Sequence, residues 1–365
     1  MSSNSSSDLL IDNPAQQGYR LPAEWTRHDA TLMIWPSNRA TWPGGRLRRV
    51  ESVFLDIIEV LSRYEPICLL AENSRVRDRI NGYFSDRDID AREIEICIQP
   101  VNDVWARDSG PICILKEGES NSSCLFTDWE YNAWGRKYLP YEDDNRIPAF
   151  LASHFGVDRL DLDMVLEGGS VETNGDGVLL TTESVLLNSN RNPNMGKEAI
   201  EQQLMDVLGI EKIIWLKRGL AGDDTDGHID DLARFLNKNT ILAMKTDDPA
   251  DLNHEALMEN LEILRSSTDR QGNEFEIVTL PMPETRTEEP TVDGSGEVPA
   301  SYANFYIGNG VVLVPIFNDP NDREALALLK HYFPRREVVG INCTELVWGQ
   351  GSIHCITQPL YGIRS

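Results

Sequence analysis

The chain has 365 residues, 59 of them acidic and 34 basic, for a formal charge of −25. So acidic a surface repels nucleic acid and anionic lipid and attracts small cations. The length and a 41% hydrophobic content suffice for one large core or two domains, and no apolar run reaches the roughly 18 residues of a membrane helix.

Residues 1–17 are polar and Ser-rich and lack the basic and apolar regions of a secretory leader, which predicts a disordered tail over residues 1–18. A single domain is expected over residues 19–365. Residues 30–35 predict a short buried strand ended by Pro36. Over residues 46–64, Val50, Val53, Phe54, Ile57, Ile58 and Leu61 share one face, which predicts a helix. Strands are expected at 66–71, 94–98, 177–182, 184–188, 213–216, 240–244, 275–280, 301–307, 310–315, 337–341 and 351–357. Helices are expected at 74–84, 197–208, 254–266 and 322–331. The alternation places the chain in the α/β class. Residues 281–299 hold four prolines and no periodicity, and read as a long surface insertion, with a lid as the alternative. The cysteines Cys68, Cys97, Cys113, Cys124, Cys343 and Cys355 form no C-x-x-C pair. They read as free thiols of a reducing, cytoplasmic protein.

Four short runs could carry chemistry. In residues 351–357 a strand would send His354 and Cys355 to opposite faces, so a nucleophilic Cys355 needs its base from elsewhere. By itself Cys355 reads as a buried structural thiol. In residues 222–231 an extended backbone would put His228 and Asp230 on one side. An EF-hand fails there: with Gly227 at the sixth loop position, the first and twelfth fall on Gly222 and Ala233. No H-E-x-x-H or cysteine cluster suggests zinc. Residues 105–111 set Arg107 and Asp108 between Trp105 and a Gly-Pro turn. Residues 166–170 put Glu167 ahead of two glycines, and a buried Glu there would need a cationic partner.

One reaction uses all four. A guanidinium is planar and cationic. Two carboxylates grip its N–H fork, a thiolate attacks the central carbon, and an imidazole moves protons.

The runs W-A-R-D-S-G-P (105–111), E-G-G-S (167–170), D-x-T-D-G-H-I-D (223–230) and G-x-G-S-I-H-C-I-T-Q (349–358) resemble those of the agmatine deiminases and the bacterial-type peptidylarginine deiminases. Further matches lie at 21–25, 35–36 with Trp42, 190–193 and 301–306, so the resemblance spans residues 19–359. It implies a pentein fold, a five-bladed pseudo-symmetric α/β propeller of ββαβ-like units around a central site. It implies Cys355 as nucleophile, His228 as general acid and base, and Asp108 and Asp230 as guanidinium clamps. Glu167 lies beside His228, Asp224 contacts substrate and Trp105 packs on it. No metal or organic cofactor is expected. The expected partner is a small cationic guanidino compound such as agmatine, and the expected assembly a homo-oligomer, a dimer. Arginine or peptidylarginine deimination is the alternative, and a non-catalytic cationic-amine-binding protein the alternative of another class. Gln350 departs from the family's usual glycine on the approach to Cys355.

Overall fold

The computed structural model describes residues 13–116, 118, 123–284, 291, 292, 294 and 296–363. Within them the strands fall into five sheets, and one pattern recurs: an antiparallel pair, a helix, then a strand parallel to the second of the pair. The first instance is Ile112–Lys116, Cys124–Glu130, helix Ile147–Phe155 and Asp158–Val165. The second is Glu172–Thr173, Val178–Thr182, helix Lys197–Leu208 and Lys212–Leu216. The third is Ala233–Asn237, Thr240–Lys245, helix His254–Ser266 and Glu276–Pro281. Tyr306–Ile307, Val311–Ile316, helix Asp322–Tyr332 and Glu337–Asn342 make the fourth.

The fifth joins the two ends of the chain. Gln358–Leu360 pairs antiparallel with Ala30–Ile34, and helix Arg46–Leu61 leads to the parallel strand Ile67–Ala71. A further helix, Ser74–Asp86, and the strand Ile94–Ile98 extend this sheet. Middle strands such as Ala30–Ile34 and Val178–Thr182 are buried along their whole length, as parallel strands covered on both faces must be. Among the described residues no helix is long and apolar enough to cross a membrane, and all six cysteines are free.

Several local expectations change. Residues 13–18 of the expected tail are ordered: a 3-10 turn spans Pro14–Gln17, and the Asn13 amide donates to Asp206 Oδ1 at 2.6 Å. Residues 1–12 lie outside the described residues. Glu183–Leu186 is a helical turn rather than a strand, because the Thr182 hydroxyl accepts from Val185 N–H and caps it. Of residues 301–307 only Tyr306–Ile307 pairs; Ser301 turns away, its hydroxyl donating to Asp231 O at 2.7 Å. Residues 353–356 form a turn, and pairing begins only at Gln358. The Thr357 hydroxyl closes that turn onto Ile353 O at 2.8 Å.

A buried polar hub ties distant segments together beneath the site. Glu24 Oε2 accepts from Arg107 Nη2 at 2.8 Å and pairs with His354 Nε2 at 2.8 Å. Its Oε1 accepts from Arg234 Nη2 and from Ile307 N–H, both at 2.9 Å. Arg234, fully buried, also pairs with Glu172 at 3.0 Å and donates to Phe305 O at 2.8 Å. Burial disfavours the Glu24 carboxylate, but Arg234, His354 and Arg107 outweigh it and hold its pKa well below the usual range. Replacing Glu24 by Ala leaves two guanidinium groups without this partner in the interior. The expected cost is about 3–5 kcal/mol, read as a lower urea-unfolding midpoint; an unchanged midpoint would show that the hub does not hold the fold.

Candidate active site

The loops at one end of the units converge on a cleft of about 360 Å³ lined by Asp103, Trp105, Asp108, Trp134, Asp224 and Cys355, among others. Trp105 leads into the short helix Ala106–Ser109, which carries Asp108 inward. Asp108 Oδ2 accepts from Trp134 Nε1 and its Oδ1 from Gly169 N–H, both at 3.0 Å. The two glycines after Glu167 now have a reason: a Cβ on Gly169 would lie 2.5 Å from His228 Nδ1 and 2.9 Å from Asp108 Oδ1.

The cation that a buried Glu167 requires is Arg191. Its Nε donates to Glu167 Oε1 at 2.5 Å, while Nη1 reaches Asp226 Oδ2 at 2.7 Å and Nη2 reaches Thr225 O at 2.8 Å. One guanidinium thus joins the loop bearing Glu167 to the loop bearing His228. Asp223 and Thr225 accept from the His228 backbone N–H, each at 3.2 Å. His228 precedes a 3-10 turn, Ile229–Asp231, rather than lying on a strand. It nevertheless comes beside a carboxylate, with Nδ1 3.7 Å from Asp108 Oδ1.

Cys355 sits in the terminal turn, 6% exposed. Its Sγ lies 3.2 Å from Asn304 Nδ2 and 3.7 Å from Asp230 Oδ2. Adjacent His354 turns away from the thiol: Nδ1 meets Asp230 Oδ2 at 2.7 Å, and Nε2 meets Glu24. Both its ring nitrogens are therefore committed to carboxylates. His354 is no partner for Cys355, and the reason is this bridging rather than the strand alternation expected from sequence.

The electrostatics are one-sided. Burial disfavours the charged form of His228, yet Asp108, Asp230, Glu167 and Asp223 outweigh it and raise its pKa. Burial lifts Asp108 to about 6, against the opposing pull of His228. Burial would lift Asp230 too, but its hydrogen bond to His354 holds its pKa below the usual range. Burial, reinforced by Asp230, Asp231 and Asp108, pushes the Cys355 thiol well above the ordinary cysteine range. Both His228 ring nitrogens, Asp230 Oδ1 and Glu167 Oε2 are buried without a hydrogen-bond partner among the described residues. Unpaired buried carboxylate oxygens are costly, and a cation with N–H groups to donate would satisfy them. Asp230, Asp231 and Cys355 also bring one potential metal-ligand atom each within 4.8 Å of one another.

The structure gathers Cys355, His228, Asp108, Glu167 and Asp230 into one buried cluster. Trp105 and Asp224 line the cleft above it, and Asp224 Oδ2 accepts from the Tyr138 hydroxyl. Sequence reasoning assigned no role to Asn304, Glu24 or Arg191, although each stands in a quoted motif. Asn304 Oδ1 accepts from His354 N–H at 2.9 Å while its Nδ2 serves both Asp231 and Cys355, so it sets the terminal turn. Its signal was a lone amide among the aromatic residues 302, 305 and 306. Gln350 adopts φ +76, a conformation glycine takes freely, and its Nε2 donates to Glu297 O at 3.1 Å. Val292 lines the cleft, so the 281–299 segment borders the site; residues 285–290, 293 and 295 lie outside the described residues.

A family profile, Porphyromonas-type peptidyl-arginine deiminase, matches residues 20–360. A relative from Latilactobacillus sakei, named provisionally as an agmatine deiminase, is 35% identical over 96% of this chain and 98% of its own. The solved agmatine deiminase of Enterococcus faecalis superposes with a TM-score of 0.87 at 32% identity, covering 95% of this chain and 97% of that one. The agmatine deiminase of C. jejuni, solved with substrate bound, gives 0.83 at 30%, covering 94% and 96%.

In the free protein, alkylation of Cys355 by iodoacetamide, followed by peptide mapping, should rise with pH through a midpoint above the ordinary thiol value of about 8.5. Below the raised pKa the thiol is protonated and unreactive. A midpoint below that value would contradict the electrostatic description of the free site.

Proposed function

Because this chain belongs to the family of Porphyromonas-type peptidyl-arginine deiminases, we propose that it is an agmatine deiminase, a hydrolase that converts agmatine and water to N-carbamoylputrescine and ammonia. The supporting observation is the charge of the cleft: it presents Asp103, Asp108 and Asp224, and none of its described lining residues is Lys or Arg. Agmatine is cationic at both ends and suits such a cleft. Free arginine brings an α-carboxylate, which would meet these aspartates, and no Lys or Arg is among the described lining residues.

In the proposed mechanism Asp108 and Asp230 hold the guanidinium N–H fork. The arriving cation offsets the carboxylates that keep the Cys355 thiol protonated, so the thiolate forms with substrate in place. The thiol proton passes to solvent. The Cys355 sulfur then bonds to the guanidinium carbon, the bond from that carbon to a terminal nitrogen breaks, and His228, whose protonated form the neighbouring carboxylates favour, gives that nitrogen a proton so that ammonia leaves. This yields a covalent amidino-cysteine. His228 next takes a proton from water, whose oxygen attacks the same carbon; the C–S bond breaks, the added hydroxyl gives its proton to the sulfur, and the ureido product and the free thiol remain. Glu167, anchored by Arg191, steadies the imidazole and the substrate. Trp105 packs on the substrate, and Asp224 faces its distal ammonium. The five repeated units are read as five blades around a pseudo-fivefold axis, forming one catalytic domain over residues 19–365 with the site at its centre.

A ureido colour assay with agmatine, free arginine and a peptidyl-arginine tests the assignment. Agmatine should turn over with a kcat/KM at least about 100-fold above the others, the equivalent of roughly 2.7 kcal/mol. Preference for arginine or for the peptide would refute the substrate, though not the chemistry.

A further inference from the structure

Away from the cleft, the edge strand Ile94–Ile98 and the neighbouring unit's helix Ile147–Phe155 bring together a second set of reactive side chains. Glu95 and Cys97 are two apart on the strand and so share a face. His154, in the helix's last turn, points its Nε2 at both: 3.5 Å from Cys97 Sγ and 2.8 Å from Glu95 Oε1. One ligand atom from each of the three lies within 4.8 Å of the other two. The imidazole is held in place, stacked on Phe150 at 5.6 Å and edge-on to Phe155 at 4.7 Å between ring centroids. Cys68, on the adjacent parallel strand, pairs in register with Glu95. An open cavity lined by Cys68, Glu95, His154 and Phe155 gives access from solvent.

We propose that Glu95, Cys97 and His154 form a binding site for a borderline-soft divalent metal such as zinc(II), with a water completing a tetrahedron. The donors suit the metal: one sulfur, one imidazole nitrogen and one carboxylate oxygen are zinc's usual set. The spacing suits it as well. Zn–S near 2.3 Å and Zn–N near 2.0–2.1 Å at a tetrahedral angle separate the two atoms by about 3.5 Å, the Cys97–His154 distance found here. The Glu95–His154 separation of 2.8 Å has to open by only about 0.5 Å to match a tetrahedral N–O spacing, and the Glu95 side chain, 56% exposed, can move. Binding releases the Cys97 proton to solvent and links the edge strand to the helix of the next unit, so the metal would act as a staple between two units remote from the catalytic thiol.

Cobalt(II) is the probe. The full-length, reduced protein carrying Cys355→Ala, which removes the catalytic thiol, is titrated with Co2+ alone. The expected result is one equivalent bound, with a near-ultraviolet thiolate-to-cobalt band that zinc abolishes. Cys97→Ser and His154→Ala, each in that background, should lose the band, while Cys113→Ser keeps it. In chains with Cys355 intact, Cys97→Ser and His154→Ala should retain deiminase turnover within about twofold, showing that they fold. Absence of the band from the parent, or its survival in Cys97→Ser or His154→Ala, would overturn the proposal and leave a plain His–Glu pair.

Discussion

Buried carboxylates must find cations or hydrogen-bond donors, and this constraint organises the molecule. Glu24 meets it with Arg107 and Arg234 and with the ring of His354, and Glu167 meets half of it with Arg191. These pairs reach across the chain: Glu24 and His354 are 330 residues apart. The Glu24–His354 pair lies next to the place where the terminal strand Gln358–Leu360 pairs with Ala30–Ile34. The hub also acts at the site, since His354 passes from Glu24 to Asp230 and lowers the pKa of the carboxylate that faces the thiol.

Above the hub the compensation is left incomplete. Asp230 Oδ1 and Glu167 Oε2 keep unpaired oxygens, Asp108 is lifted to about 6, and the thiol of Cys355 is held protonated. A site so charged is poorly satisfied when alone and best satisfied around a planar cation that donates several hydrogen bonds. In the proposed mechanism the substrate completes the electrostatics and, by doing so, activates the Cys355 thiol, which stays protonated until the reacting group arrives.

Much of the site was legible in the sequence because its chemistry is carried by residue types within short runs: Trp105 to Pro111, Glu167 to Ser170, Asp223 to Asp230 and the run ending at Cys355. Helices such as Arg46–Leu61 were legible too, since their apolar period is local. Backbone conformation at the site was not. Residues 351–357 read as a strand from their β-forming neighbours, and an extended backbone was the premise that put His228 and Asp230 on one side, yet residues 353–356 and 229–231 are turns, held by the side chain of Thr357 and, at His228 N–H, by Asp223 and Thr225. The roles of Glu24, Arg191 and Asn304 were hidden because each depends on partners far away in sequence. The strand Asp158–Val165 carries a local signal as well: Leu160, Leu162 and Met164 alternate with acids, the mark of a half-exposed strand.

The claim on which the rest turns is covalent attack by Cys355 on a guanidinium carbon. It is tested most directly by acid-quenching the protein during turnover of agmatine and mapping adducts by mass spectrometry. The adduct should sit on the peptide bearing Cys355, with the mass of agmatine less one ammonia, and Cys355→Ala should show neither adduct nor ammonia release. Turnover in Cys355→Ala, or an adduct on another residue, would contradict it.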